Sequence, residues 1–149
     1  MTPDAPLPVV LVTGGNRSIG WEIAKQLAGR GYHAVVGCRD QAKGEAAVKG
    51  LREAGGKASF LALDVSRSDS VRAAARDCRR VASVCSGTYV LAAAGLLDGK
   101  RATTHWRMAA KLQQMHPQVK VDSDRIYCCD GKVWTSAGIS AGIDLALEI

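Results

Sequence analysis

Residues 8–20 read PVVLVTGGNRSIG, and this stretch decides the fold. Pro8 to Thr13 form a continuous apolar run, which is typical of a strand buried on both faces of a parallel sheet. A glycine-rich turn follows, and apolar residues then recur at helical spacing from Ile19 to Arg30. A strand, a tight turn and a helix in this order predict a βα unit. The turn and the helix N-terminus of such a unit can hold a phosphate group.

The rest of the chain alternates short β-branched runs with amphipathic stretches. Further strands are predicted at residues 33–37, 58–63 and 81–84. Asp130 and Gly131 separate two β-prone segments and predict a short hairpin near residues 125–136. These elements predict a single α/β domain over residues 1–149, a three-layer α/β/α fold around a mostly parallel five-stranded sheet.

Composition restricts the class of protein. The chain has 149 residues, a hydrophobic content of 47% and a mean hydropathy of −0.02, which indicate a globular domain. No apolar run approaches the roughly 20 residues that span a bilayer, and residues 1–8 lack a signal-peptide pattern. The five cysteines are odd in number and form no C-x-x-C spacing, so we expect reduced thiols and no metal site. We therefore expect a cytoplasmic protein with no membrane partner.

The net charge of +6 raises the question of a nucleic-acid partner. The tightest basic cluster lies in a predicted helix that continues to about Arg80, and it consists of Arg72, Arg76, Arg79 and Arg80. No aromatic side chains interleave with these arginines. We therefore favour a solvated helix face over a nucleic-acid interface.

The glycine-rich turn resembles the T-G-x-x-x-G-x-G motif of the short-chain dehydrogenase/reductase family, and this resemblance covers about residues 1–70. It implies a cofactor site built from the turn, from Arg39 after the second strand and from Asp64 after the third. Cys38 stands where members that prefer NAD place an acid, and Arg17 and Arg39 would favour a 2′-phosphate. The implied cofactor is NADP(H), and the implied contact residues are Gly14, Asn16, Arg17, Ser18, Ile19, Gly20, Arg39 and Asp64.

Alternatives remain for parts of this site. The turn can be a plain connection between strand and helix, and Asp64 can be a plain cap or turn residue. Ser18 occupies the middle glycine position of the motif, so we expect it to crowd the pyrophosphate or to adopt a positive φ, with weakened binding. The family's Tyr-x-x-x-Lys pair is missing, because none of the tyrosines at 32, 89 and 127 has a lysine four residues later. Hydride transfer then lacks a proton donor, and we do not expect a dehydrogenase.

The second half of the chain contains a different motif. Residues 81–87 read VASVCSG, which places Cys85 between a strand and a helix, in the layout of a nucleophile elbow. In such a turn the helix N-terminus and free N–H groups lie near the sulfur and can stabilise an oxyanion. A cysteine at the end of a strand is equally often an inert small hydrophobe.

Residues 79–149 resemble the PfpI-type branch of the class I glutamine-amidotransferase-like superfamily, which includes isocyanide hydratases and the sensing domains of AraC-type regulators. The matching stretches are VASVCSG, LAAAGLLD, ATTHW, WTSAG and GIDLA. The resemblance implies that Cys85 is a nucleophile. It also implies an acid after the first strand, where this chain has the glycine-rich turn instead, and Glu22 lies in the following helix. His105 either orients a substrate or acts as a packed or capping histidine.

The two resemblances meet between Val65 and Arg79, inside one βα unit. We interpret the chain as an engineered chimera, with a divergent natural protein as the alternative. The leading functional hypothesis is a scaffold without an evolved reaction that retains NADP(H) affinity. The alternatives are a hydratase or hydrolase that uses Cys85 and an NADP-dependent reductase. We expect the Rossmann-like strand order 3-2-1-4-5, with the flavodoxin-like order 2-1-3-4-5 as the alternative. The apolar Leu145, Leu147 and Ile149 leave a monomer or a homodimer open.

Overall fold

The computed structural model describes residues 7–148. It has the predicted α/β composition with mostly parallel strands. The chain divides into two compact units, one ending at Asp64 and the other beginning at Val65. Ile149 and most of the segment tested for a signal peptide lie outside the described residues. Among the described helices, none combines the length and apolar content that a bilayer crossing requires.

The first unit consists of two complete βα units and a third strand. Its elements are β1 (Val9–Thr13), α1 (Ser18–Gly29), β2 (His33–Cys38), α2 (Gln41–Glu53) and β3 (Lys57–Ala62). All three strands are parallel, and β2 lies between β1 and β3. This arrangement confirms the predicted 3-2-1 order of the first three strands. The carboxyl ends of β1 and β2 are aligned, with Thr13 paired to Gly37.

The core of the first unit lies between its helices and its sheet. Small residues on the central strand and on α1 allow close packing: Ala24, Ala34 and Val36 are completely buried. Leu51 on α2 belongs to the same buried cluster. Gly44 brings α2 onto β3, because a Cβ at this position would overlap the ring of Phe60. The first unit thereby holds the turn after β1 on a rigid base.

The second unit begins with a helix and ends with one. Its elements are α3 (Ser68–Ala75), β4 (Val81–Val84), α4 (Gly87–Ala93), β5 (Arg101–Ala102), α5 (Trp106–Met115), β6 (Lys120–Val121), β7 (Tyr127–Asp130), β8 (Val133–Ser136) and α6 (Ala141–Glu148). The predicted hairpin is present as β7 and β8, and Gly131 in its turn has a φ of +61°. In the apolar core of the second unit, Leu97 and Leu112 are completely buried and Val119 almost completely.

The described strands form three sheets, where we expected one sheet of five strands. Their orders are β1-β2-β3, β4-β8-β7 and β5-β6. β4, predicted to lie beside the first strand, pairs in parallel with β8 instead. The reason is the burial of β8, since Val133, Thr135 and Ser136 are at most 3% exposed. A strand buried this well needs a hydrogen-bonded partner on each edge. β8 therefore lies at the centre of its sheet, between β4 and β7.

The helix that carries the arginine cluster is shorter than predicted. We expected it to continue to about Arg80, and α3 ends at Ala75. Lys132 Nζ donates hydrogen bonds to the carbonyl oxygens of Ala75 (2.9 Å) and Arg76 (3.1 Å). A cation that binds the last carbonyls satisfies the end of a helix, so this contact from the hairpin fixes the end of α3.

Candidate functional site

The turn after β1 is closed by backbone hydrogen bonds. The amide of Gly14 donates to the carbonyl of Gly37 at 2.7 Å, and the amide of Gly15 donates to Val12 at 3.2 Å. Gly14 has a φ of +66°, a conformation that glycine adopts without steric cost. A Cβ on Gly15 would lie 2.9 Å from the Val12 oxygen. The chain therefore reverses tightly at the end of β1, with Gly14 exposed and Gly15 buried.

Helix α1 begins directly against this turn. A Cβ on Gly20 would overlap the carbonyl group of Gly14, so only glycine allows the approach. The amide of Trp21 donates to the Arg17 carbonyl at 3.1 Å and closes the first helical turn. Arg17 is the N-cap residue with extended backbone, and no side chain caps the first turn. The geometry is that of a phosphate-binding turn, in which the amides at a helix start face an anion.

Ser18 adopts the positive φ that we expected from its place in the motif. Its φ is +50°, and it is the first residue of α1. This conformation costs a residue with a Cβ roughly 1–2 kcal/mol, a cost that glycine does not have. The motif geometry is thus retained with serine at the middle glycine position.

The remaining predicted contact residues differ in their exposure. Arg17, Ile19 and Arg39 are exposed, and Ile19 keeps 78% of its surface accessible. Asn16 and Asp64 are half-buried. Arg17 follows β1 and Arg39 follows β2, at the aligned carboxyl ends of the two strands.

The end of β2 offers no free acid. The Cys38 side chain is buried, and its thiol donates to the carbonyl of Asp40 at 3.3 Å. The Asp40 carboxylate caps α2 by accepting from the Lys43 amide at 3.0 Å, and it pairs with Lys43 Nζ at 3.1 Å. The backbone hydrogen bond from Lys43, followed by the contact with its side chain, lowers the pKa of Asp40. Lys43 was not identified from the sequence as a partner of Asp40. Lys43 lies three residues after this N-cap residue, and that spacing places its backbone amide within reach of the carboxylate.

The turn after β4 holds Cys85 in a left-handed conformation. Its φ is +56°, and its amide donates to the Ser136 carbonyl at 3.0 Å. Its own carbonyl accepts from Thr104 Oγ1 at 2.8 Å and from the amide of Thr88 at 3.4 Å. A cysteine with positive φ between a strand and a helix has the backbone geometry of a nucleophile elbow.

Three segments that are distant in sequence meet at the sulfur of Cys85. A Cβ on Gly138 would lie 3.2 Å from Cys85 Sγ and 2.6 Å from His105 Cδ2, so both atoms border the same small space. His105 is the N-cap residue of α5, where its Nδ1 accepts from the amide of Arg107 at 3.3 Å. The ring also stacks on Trp106, with centroids 5.7 Å apart. The capping role weighed for His105 is therefore present, and the ring lies near the thiol as well.

Buried hydroxyl groups support this turn. Thr88 Oγ1 lies 3.2 Å from Ser83 Oγ and donates to the Thr103 carbonyl at 3.0 Å. The Thr103 amide in turn donates to Thr135 Oγ1 at 2.9 Å. Among the described residues, Ser136 Oγ is the buried side-chain polar atom without a hydrogen-bond partner. Sequence reasoning missed these hydroxyl groups, because the pair Thr103-Thr104 carries no spacing signal for its partners.

Tyr89, Tyr127 and Glu22 have interactions within their own units. Tyr89 donates its hydroxyl to the carbonyl of Met108 at 2.8 Å, and burial raises the pKa of Tyr89. Burial, followed by the charge of Glu148, raises the pKa of Tyr127. Glu22 accepts a hydrogen bond from Gln26 within α1, at 3.1 Å.

Two family models match the chain. The DJ-1/PfpI family model matches residues 51–149, and the short chain dehydrogenase model matches residues 8–84. Each match covers more than half of the chain, and the two overlap at residues 51–84. The interval from 65 to 79, where the sequence indicates a join, lies inside that overlap.

Individual relatives divide in the same way. Isonitrile hydratase of Pseudomonas putida is 47% identical over 90 residues, which are 60% of this chain and 38% of that protein. Retinol dehydrogenase 11 of Homo sapiens is 43% identical over 77 residues, which are 50% of this chain and 24% of that protein. A solved structure of a metagenomic short-chain oxidoreductase in complex with NADP is 38% identical, with a TM-score of 0.43, and the match covers 59% of this chain and 34% of that one. The chain thus spans well under half the length of each of these relatives.

Proposed function

Because the chain belongs to the short-chain dehydrogenase family over residues 8–84 and to the DJ-1/PfpI family over residues 51–149, we propose that it binds NADP(H) without transferring hydride. The observation that carries this proposal is the contact of Gly20 with the Gly14 carbonyl, which brings the start of α1 to the end of β1. We further propose that the two segments were joined within residues 65–79. An engineered join accounts for a boundary inside a βα unit.

The residues of the first unit fit a dinucleotide. Gly14, Asn16, Ser18, Ile19 and Gly20 would hold the pyrophosphate, since no side chain caps the first turn of α1 and its amides are left for an anion. Asp64 would contact the adenine. When bound, the cofactor supplies a hydride in enzymes that also provide a proton donor. In this chain the turn would supply binding and orientation.

The charge at the end of β2 favours a 2′-phosphorylated cofactor. Arg17 and Arg39 are exposed guanidinium groups, which bind phosphate in a bidentate manner. Cys38 carries no charge that repels a phosphate, and Asp40 is held by its own helix through Lys43. The pair of Asp40 and Lys43 adds no net charge at the start of α2, so the two arginines set the sign of the charge there. NADP(H) should bind in preference to NAD(H).

Calorimetric titration with NADP⁺ and with NAD⁺ tests this proposal. We expect NADP⁺ to bind and Arg39→Ala to weaken binding by roughly tenfold or more, since a charge-assisted hydrogen bond is worth about 1.5–3 kcal/mol. Arg30→Ala is the matched control, because Arg30 is an exposed arginine at the other end of α1. Equal affinity for both cofactors, or an equal loss in both variants, contradicts the proposal. NADPH oxidation by a panel of aldehydes and ketones should stay at the rate measured without protein, and faster oxidation would indicate a reductase.

The second unit favours a second function, thiol chemistry at Cys85. The observation that supports this function is the positive φ of Cys85, together with the position of its sulfur near His105 and Gly138. With Nδ1 accepting from the backbone, neutral His105 carries its proton on Nε2 and can exchange it with a substrate.

We propose hydration of an isonitrile as the reaction. The thiol adds across the terminal carbon of R–N≡C and forms an S–C bond. Water then adds to that carbon, the C–S bond breaks, and R–NH–CHO leaves as the thiol is restored.

Two measurements test the thiol function. The first is the consumption of a small alkyl isonitrile, which Cys85→Ala should abolish. The second is alkylation by iodoacetamide, with the modified cysteine identified by mass spectrometry. Cys129→Ala is the control, since Cys129 is an exposed thiol on β7. If Cys85 reacts no faster than Cys129 and no isonitrile is consumed, the thiol function is refuted and NADP(H) binding is unaffected.

A further inference from the structure

Thr104 connects the backbone of Cys85 to the segment that carries His105. Its side chain is completely buried, and its Oγ1 donates to the Cys85 carbonyl at 2.8 Å. His105 is the next residue in the chain, and its ring borders the same space as Cys85 Sγ. One hydrogen bond therefore links the turn that bears the thiol to the residue that precedes the imidazole.

The conformation of Cys85 requires such support. A non-glycine residue with positive φ persists only where surrounding contacts hold it. The amide of Cys85 is held by the Ser136 carbonyl, and its carbonyl accepts from Thr104 and, at a longer distance, from the amide of Thr88. Of these contacts, the one from Thr104 is the shortest and uses a side chain, so substitution can remove it.

The neighbouring threonine serves a different part of the unit. Thr103 Oγ1 donates to the Arg125 carbonyl at 3.1 Å, and the Thr103 amide donates to Thr135 Oγ1. Thr103 and Thr135 thus tie the end of β5 to the hairpin. Thr104 and Thr135 are both almost completely buried, and each side-chain hydroxyl forms a hydrogen bond with a backbone group, so Thr135 is a matched control for Thr104.

We propose that Thr104 is a positioning residue for Cys85. Its hydrogen bond sets the left-handed backbone of the turn and the place of the thiol relative to His105. The proposal rests on the thiol function of Cys85 described above. It goes further by assigning the control of thiol geometry to a hydroxyl group that does not contact the sulfur.

The test compares three variants by two readouts. Thr104→Val removes the hydroxyl at nearly constant volume, Thr104→Ser restores it, and Thr135→Val removes the matched hydroxyl. The first readout is the iodoacetamide alkylation rate of Cys85. The second is the pair of ¹³Cα and ¹³Cβ chemical shifts of Cys85, which report its φ. We expect Thr104→Val to slow alkylation by about fivefold or more, the effect of one hydrogen bond, and to move both shifts. Thr104→Ser should return both readouts toward the parent, and Thr135→Val should leave both within twofold or unmoved.

The outcomes separate this proposal from the one on which it rests. If Cys85 of the parent protein is unreactive, the thiol function fails, and the chemical shifts still decide the role of Thr104. If Cys85 is reactive and Thr104→Val changes neither readout, the positioning role is overturned. Equal slowing in Thr104→Val and Thr135→Val overturns it too, because the cause is then a general loss of packing. If Thr104→Val does not fold, Thr104→Ala replaces it in the same comparison.

Discussion

Gly20 packs directly against Gly14, so closely that a Cβ at residue 20 would overlap the Gly14 carbonyl. Gly20→Ala should therefore destabilise the first unit by about 1–3 kcal/mol and weaken NADP⁺ binding, because the turn must open to admit the methyl group. Chemical unfolding and calorimetric titration measure the two effects. The control is Gly29→Ala in the same helix, since a Cβ at residue 29 meets no atom within 4 Å. That control should be neutral or slightly stabilising. Similar results for both variants would contradict the packing argument.

Ser18 holds a conformation that suits glycine, with a φ of +50°. Ser18→Gly relieves this strain and removes a side chain from the turn, so it should tighten NADP⁺ binding severalfold. The midpoint of thermal unfolding should stay the same or rise, because the relief offsets the entropy that glycine loses on folding. Titration of both proteins at equal ionic strength decides the matter. Weaker binding in Ser18→Gly would show that the serine hydroxyl itself contacts the ligand.

Asp40 should make the stability of the first unit depend on acid. The backbone amide and the side chain of Lys43 lower the pKa of Asp40 in the folded protein. Its stabilising effect is therefore complete above the ordinary aspartate pKa of about 3.9, and it is lost as the pH falls through the lower folded value. Asp40→Ala should lower the midpoint of thermal unfolding at pH 7, and the difference from the parent should shrink below pH 4. A difference that is constant from pH 7 to pH 3 would refute the role of the charge.

Gly138 keeps the space beside Cys85 Sγ open. A Cβ at this residue would lie 2.6 Å from His105 Cδ2 and 3.2 Å from the sulfur. Gly138→Ala must therefore displace the imidazole or cover the thiol, and alkylation of Cys85 by iodoacetamide should slow by about tenfold. Gly50→Ala is the comparison variant, since a Cβ there meets no atom within 4 Å. An unchanged rate in Gly138→Ala would show that the reagent reaches Cys85 from another side.

Local patterns in the sequence predicted what short stretches of chain decide by themselves. The glycine turn, the positive φ of Ser18, the hairpin at Asp130-Gly131 and the strand–cysteine–helix order at Cys85 all depend on neighbouring residues. Both family resemblances rest on such stretches and are confirmed by the family models. The roles of the individual site residues remain predictions.

Pairings between distant segments were beyond the reach of the sequence. Nothing local in β8 distinguishes a central strand from one arm of an exposed hairpin, so its parallel pairing with β4 was missed. The early end of α3 depends on Lys132 in the same way, because the capping group lies far along the chain. The hydrogen bond from Thr104 to Cys85 is a third case. Each of these contacts forms only after the chain has folded back.

The hydrogen bond from the Cys85 amide to the Ser136 carbonyl has a consequence for biosynthesis. Ribosomes make proteins from the N-terminus, so a growing chain exposes Cys85 well before Ser136 has been added. Until then the turn at Cys85 lacks the strand against which it is built, and closing so long a loop is slow compared with forming a local helix. The first unit has no such requirement, since its strands are complete by Ala62. A nascent chain would thus form its glycine turn early, and the left-handed turn at Cys85 late. Reactivity of Cys85 would then indicate that the second unit has completed its folding.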